Sequence, residues 1–176
     1  MRCAVAIRSP WVLALLLVSA TVAAPIFAAE SPALRDIKDR TAIEKLMWNY
    51  ARALDTGNAD AYAAVYTADG AFGDTKGRDA LKKMINDLNK SREERKAKGE
   101  VVVGTLHMTA DHDIEFTDAD HATVRYYWLT AFVLPPAAPG AARPEQRVPF
   151  TGHGEDHLVR VNGQWLIQTR NVNAKD

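Results

Sequence analysis

"GTLHMTADHDIEF", residues 104–116, is where the hydrophobic period of the chain changes. Ahead of it, apolar residues recur at helical spacing. In "TAIEKLMWNYARALD" (residues 41–55), Ile43, Leu46, Met47, Tyr50, Ala51 and Leu54 form one stripe along a helix. Leu81, Met84, Ile85 and Leu88 repeat that pattern further on. From Val101 onward the period is two. "VVVGTLHMTADHDIEF", "ATVRYYWLTAFVL", "RVPFTGHGEDHLVRV" and "QWLIQTRNV" read as four antiparallel strands. "TDAD" turns the first into the second, and "VNGQ" carries the Asn-Gly signal of a tight hairpin before the last. Helices followed by a long antiparallel meander define an α+β class.

The helical half has its own punctuation. Thr41 and Glu44 offer a capping box, while Ser31-Pro32 offers an earlier helix start. Gly57 in "DTGN" ends the first helix, and Asn58 can cap a second helix over "ADAYAAVYTADG". A short strand follows around "AFGD". "NKSREERKAKGE" is a solvated helix end or loop, and "PPAAPGAARPEQ" is a loop that interrupts the meander.

Residues 1–28 have the layout of a secretory signal peptide: Arg2 and Arg8, an apolar run from Trp11 to Ala24, and small residues around Ala28. Pro25 ends the run before the about twenty apolar residues a membrane span needs. The expected product is an exported, periplasmic or secreted protein with a single domain over residues 29–176, not held by a membrane after cleavage. Cys3 is the sole cysteine and leaves with the signal, so packing alone must hold the domain. Losing Arg2 and Arg8 takes Lys and Arg from 22 to 20 against 22 acidic residues, a formal charge of −2. There is no basic stripe, which argues against nucleic acid as a partner.

Within residues 104–116, strict alternation puts Leu106, Met108, Ala110, Ile114 and Phe116 on one face, and His107, Thr109, Asp111 and Asp113 on the other. With an even loop at "TDAD", His107 shares its face with Tyr126, Trp128, Thr130 and Phe132, which makes these aromatics pocket walls. An odd loop or a bulge would reverse that. The same alternation sends His107 and His112 to opposite faces, so no pair of histidines converges on an ion, and neither metal nor cofactor is expected. Asp55 ends a helix, where a carboxylate meets the negative end of the helix dipole. A residue that breaks a local rule is either a turn cap or a functional group.

"AIEKLMWNYARALDTGNADAYAAVYTADGAF", "GRDALKKMI", "LHMTADHDI" and "DHLVRVNGQWLIQTRNV", in this order over residues 36–174, resemble the SnoaL-like branch of the nuclear transport factor 2-like superfamily. The resemblance implies a cone: a strongly curved antiparallel sheet wrapped around about three N-terminal helices, with an internal apolar pocket. It also implies a homodimer through the outer face of the sheet. In members similar to scytalone dehydratase, an aspartate and a histidine share acid–base work, and those positions fall on Asp55 and His107. His153 is a candidate for the second histidine of such enzymes. In ketosteroid isomerases, the oxyanion-binding tyrosine falls on Tyr50, the base on Asp74, and the protonated acid on Glu155 or Asp156. Arg160 and Arg170 are expected to pair with Asp156 or Glu155. Trp48 shares a helical face with Asp55 and is a candidate for the pocket or a subunit contact. The expected function is cofactor-free acid–base chemistry, of lyase or isomerase type, on a small apolar molecule. The alternative is a non-catalytic small-molecule-binding protein with the same pocket.

Overall fold

The computed structural model describes residues 31–133, 140 and 147–174. The expected signal peptide and most of the Pro/Ala-rich loop lie outside the described residues. Helix α1 runs Pro32–Thr56, because Ser31 Oγ accepts the Leu34 N–H at 3.2 Å and proline suits the first turn. Thr41 therefore lies inside the helix and donates its hydroxyl to the Ile37 carbonyl at 2.8 Å. Gly57 ends α1 in the left-handed region at φ 67°, and its N–H returns to the carbonyls of Ala53 and Leu54.

Asn58 Oδ1 accepts from the Ala61 N–H at 3.0 Å and starts α2, Ala59–Ala64. This helix is shorter than the sequence suggests. Strand β1 already runs Tyr66–Phe72, taking "YTADG" out of the expected helix and into the sheet. The reason is tertiary: the Ile167 N–H donates to the Val65 carbonyl at 2.9 Å, and the aromatic and β-branched Tyr66 and Thr67 suit a half-buried pleat. Strand β2 is Thr75–Lys76, and α3 is Arg78–Ala97. The meander is β3 Gly104–Phe116, β4 His121–Val133, β5 Phe150–Val161 and β6 Gln164–Asn171.

One curled, unclosed sheet of six strands results, in the order β2-β1-β6-β5-β4-β3. It is antiparallel except between β1 and β6, which run parallel, so the sheet is mixed where an antiparallel one was expected. The stripe of α1 supplies Ile43, Leu46, Met47, Tyr50 and Ala53 to the core, against Val124 and Tyr126 of β4, Leu158 of β5 and Trp165 and Ile167 of β6. Strand β5 has glycines where β4 has its largest aromatics. Gly152 and Gly154 stand directly opposite Trp128 and Tyr126, whose rings occupy the space a Cβ would need.

A charged pair is built into this core. Arg170 Nη1 donates to Asp156 Oδ2 at 2.5 Å, and Tyr126 Oη donates to Asp156 Oδ1 at 2.9 Å. The guanidinium carbon lies 3.7 Å from the centroid of the Tyr50 ring and 4.7 Å from that of Tyr126. Complete burial pushes the Asp156 carboxyl up to about 6, against the pull of Arg170 and the Tyr126 hydroxyl. Arg170 is held charged by Asp156 despite its own burial. A second tie joins α1 to the sheet: Arg160 Nη2 and Trp165 Nε1 donate to Asp39 at 2.5 and 3.1 Å. Arg170 thus pairs as expected, whereas Arg160 pairs with Asp39 on the helix and Asp120 in the β3–β4 turn.

Two stability predictions follow from these ties. Arg170→Leu leaves Asp156 buried without its cation and should cost about 3–5 kcal/mol at neutral pH. Without Arg170 the folded pKa of Asp156 rises further above the unfolded value. The variant should therefore regain stability as pH falls to 5 and lose it as pH rises through that pKa, read by urea denaturation. Asp39 behaves oppositely: burial raises its pKa, but hydrogen bonds from Arg160 and Trp165 outweigh this and lower it. Its contribution is present above the unfolded pKa and lost on acidification. Asp39→Asn should cost about 1.5–3 kcal/mol at pH 7, and the gap from the native protein should close below pH of about 4.

Candidate functional site

The C-terminal half of α1 lies against β3, an edge strand, and β3 is not regular. Its register with β4 shifts between Ala110 and Asp113, where Asp111 takes φ 54°. Aspartate tolerates the left-handed region better than most residues, so this is a bulge with an extra residue. The strict alternation expected from the sequence is broken there. His107 stands opposite Thr130 and Thr109 opposite Trp128, whereas past the bulge Ile114 stands opposite Val124 and Phe116 opposite Ala122. Thus His107, Thr109, His112, Ile114 and Phe116 share the concave face. Asp113 and Glu115 turn outward to Arg125, which also binds Glu155.

Asp55 reaches His107 across this contact. Asp55 Oδ1 accepts the His107 backbone N–H at 3.0 Å and lies 2.7 Å from His107 Nδ1. Gly57 caps the helix, so Asp55 is not consumed by the turn. The two N–H groups of His107 offset the unfavourable placement of a carboxylate at a helix C-terminus. The Asp55 carboxylate is almost wholly buried (7% exposed), and the imidazole keeps 26% exposure. A carboxylate only accepts hydrogen bonds, so Nδ1 carries the proton and Nε2 of the neutral ring is left as the acceptor.

A second pair was not foreseen. His112 Nδ1 lies 2.8 Å from Glu44 Oε2, and His112 Nε2 lies 2.9 Å from Thr109 Oγ1. The edge of the His112 ring meets Tyr126 at 6.0 Å between centroids. Both pairs line one cavity of about 350 Å³ between α1 and β3, walled by Met47, Trp48 and Ala51 with Arg52 beside them. Trp48 is accordingly a cavity residue. The two histidines thus face the same cavity, not opposite faces as strict alternation led one to expect. Among the described residues, no three His, Cys, Asp or Glu side chains cluster as ion ligands. A wider groove of about 740 Å³ on the other side of α1 has neither carboxylate nor histidine among its lining residues.

The remaining candidates lie elsewhere. Tyr50 is buried under Arg170, Asp74 is exposed in the turn between β1 and β2, and Asp156 is the member of the pair Glu155/Asp156 that faces inward. Those three share no cavity, so the isomerase-type arrangement is not assembled. Burial raises the Tyr50 phenol, with Arg170 opposing. Tyr126 is buried in the core, outside the residues that line the cavity, and its hydroxyl is committed to Asp156. Trp128 donates its indole N–H to the Val172 carbonyl at 2.8 Å and packs over Gly152, and it is not among the residues that line the cavity between α1 and β3. His153 is on the outer face, stacked edge-on to Tyr127 at 4.8 Å, and so does not reach His107.

A family model described as a SnoaL-like domain matches residues 35–171. No curated protein matches the chain. Among solved structures, a protein of unknown function from Mycobacterium tuberculosis is 25% identical, with 84% of this chain and 78% of that one covered and a TM-score of 0.64. A proposed scytalone dehydratase from Novosphingobium aromaticivorans is 26% identical, with 77% and 83% covered and a TM-score of 0.58. A protein from Catenulispora acidiphila, solved in complex with S-DNPA, is 21% identical, with 78% and 93% covered and a TM-score of 0.60. The fold of these proteins is the one described above.

Because the bulge brings His107 and Thr109 onto the face of His112, its backbone is a point of test. Asp111→Val places a β-branched residue at φ 54° and should cost about 1–3 kcal/mol, whereas Asp111→Gly should cost less than Asp111→Val. Thermal unfolding of the two variants checks this order.

Proposed function

The chain belongs to the SnoaL-like domain family, and we propose that it is a cofactor-independent acid–base enzyme acting on a small, largely apolar molecule held between α1 and β3. The observation that carries this reading is the Asp55–His107 pair, with one carboxylate oxygen bound to both the ring and the backbone N–H of the same histidine inside a cavity. Asp55 holds the ring in one tautomer and one orientation. Nε2 takes a proton from the substrate, and the Asp55 carboxylate stabilises the imidazolium that forms. An imidazole suits this work because its ordinary pKa of about 6.5 lies near working pH. Met47, Trp48 and Ala51 give an apolar wall, which favours a substrate with little charge. Dehydration, isomerisation and cyclisation are reaction classes that one proton-moving group can serve.

The same cavity without turnover would serve as a container, and kinetics separate the two. On a substrate found by screening small hydroxylated aromatic and alicyclic compounds, His107→Ala should lower kcat by about 10²–10⁴-fold. Unchanged turnover in that variant would remove His107 from the mechanism. Binding without turnover across the panel would favour the container. The N-terminal pattern of Arg2, Arg8 and the run from Trp11 to Ala24 supports export. The outer face exposes Leu106 (42%), Met108 (47%) and Tyr127 (57%), which supports a homodimer through that face.

A further inference from the structure

We propose that the Glu44–His112 pair makes Thr109 the second recognition point of the cavity, an acceptor for a hydroxyl carried by an otherwise apolar ligand. The inference rests on the cavity being the ligand site argued above. Its own basis is a chain of three side chains whose proton positions are set when the His112 ring is neutral. The Glu44 carboxylate can only accept, so the His112 Nδ1 at 2.8 Å carries the proton. The Nε2 of the neutral ring then has a lone pair and no hydrogen. Thr109 Oγ1, 2.9 Å away, must spend its single hydrogen on that lone pair. What Thr109 has left for the cavity it lines is two lone pairs. A carboxylate on α1 thus fixes the polarity of a hydroxyl on β3, through an imidazole that is almost wholly buried.

Thr109 sits two residues along β3 from His107, on the same face, a repeat of roughly 6.6–6.8 Å in a strand. The favoured ligand therefore has a hydrogen-bond donor about that far from the carbon at which His107 acts, with apolar body between. A hydroxyl there donates to Thr109. An ether or carbonyl oxygen there meets lone pairs with lone pairs and loses its water for nothing. This is a specificity role: Thr109 touches the ligand, and Glu44 and His112 are positioning residues.

The test uses a matched pair of probes, para-phenylphenol and its methyl ether, titrated into the full chain and followed by heteronuclear NMR. The phenol should bind about 3–10-fold more tightly than the ether, as one neutral hydrogen bond allows. Thr109→Val should bring that ratio to about one, and Thr109→Ser should keep it, which separates loss of the hydroxyl from loss of the fold. Glu44→Ala, which releases the His112 tautomer, should lower the ratio. A ratio near one in the native protein, a ratio that survives Thr109→Val, or no shift of any β3 amide by either probe overturns the proposal. A ratio near one together with turnover lost in His107→Ala would sink this inference and leave the acid–base reading standing. A preserved ratio with turnover indifferent to His107 would do the reverse.

Discussion

An aspartate at position 111 bends its backbone to φ 54°, and the contents of the cavity follow from that one residue. Phe116 stands opposite Ala122, which leaves an odd number of residues (117–121) in the turn between β3 and β4. Alone, that turn would send His107 to the outer face. The extra residue of the bulge reverses the parity once more, so His107 comes back to the concave face beside Thr130. His112 already lies on that face with Ile114 and Phe116, so the bulge is what sets His107 and Thr109 beside it. Two imidazoles on one strand then meet two carboxylates, Asp55 and Glu44, spaced along one helix.

Deeper in, the concave face is already satisfied. Asp156, Arg170, Tyr50 and Tyr126 hold one another through hydrogen bonds and ring contacts, with Tyr62 and Tyr66 joined behind them at 3.2 Å between hydroxyls. A phenol and an acid in that position could bind an oxyanion only if a ligand reached them. Arg170 occupies the space over Tyr50 instead. The inward carboxylate therefore anchors the fold, and the contact between α1 and β3, where the His107 imidazole keeps partial access, is left for the proposed chemistry.

The period change at residues 104–116 was enough to place the helices first and the meander last, and the Asn58 cap and the four long strands are where the pattern puts them. The end of α2 was not legible, because Ala-rich "ADAYAAV" is helical by propensity and only pairing with β6 turns the next residues into β1. Asp55 and His107 were legible as candidates, since a carboxylate at a helix end breaks a rule. Glu44 and His112 were not. Leu106 and Met108 are apolar but outward, Ile114 and Phe116 are apolar and inward, and the two pairs fall on the same parity only because a bulge lies between them. The one local signal was an aspartate inside a strand. Tyr50 and Asp74 went astray for a different reason: the residue that covers Tyr50 is Arg170, 120 positions away by number and invisible to local spacing.

The proposed chemistry rests on Asp55 governing the His107 imidazole. Nitrogen-detected NMR of the His107 ring, in the native protein and in Asp55→Asn at a pH where the ring is neutral, measures this directly. The hydrogen bond at 2.7 Å predicts a ring protonated at Nδ1 and bare at Nε2, with that preference weakened in the variant. A proton on Nε2, or spectra that do not change when Asp55 is replaced, would contradict it.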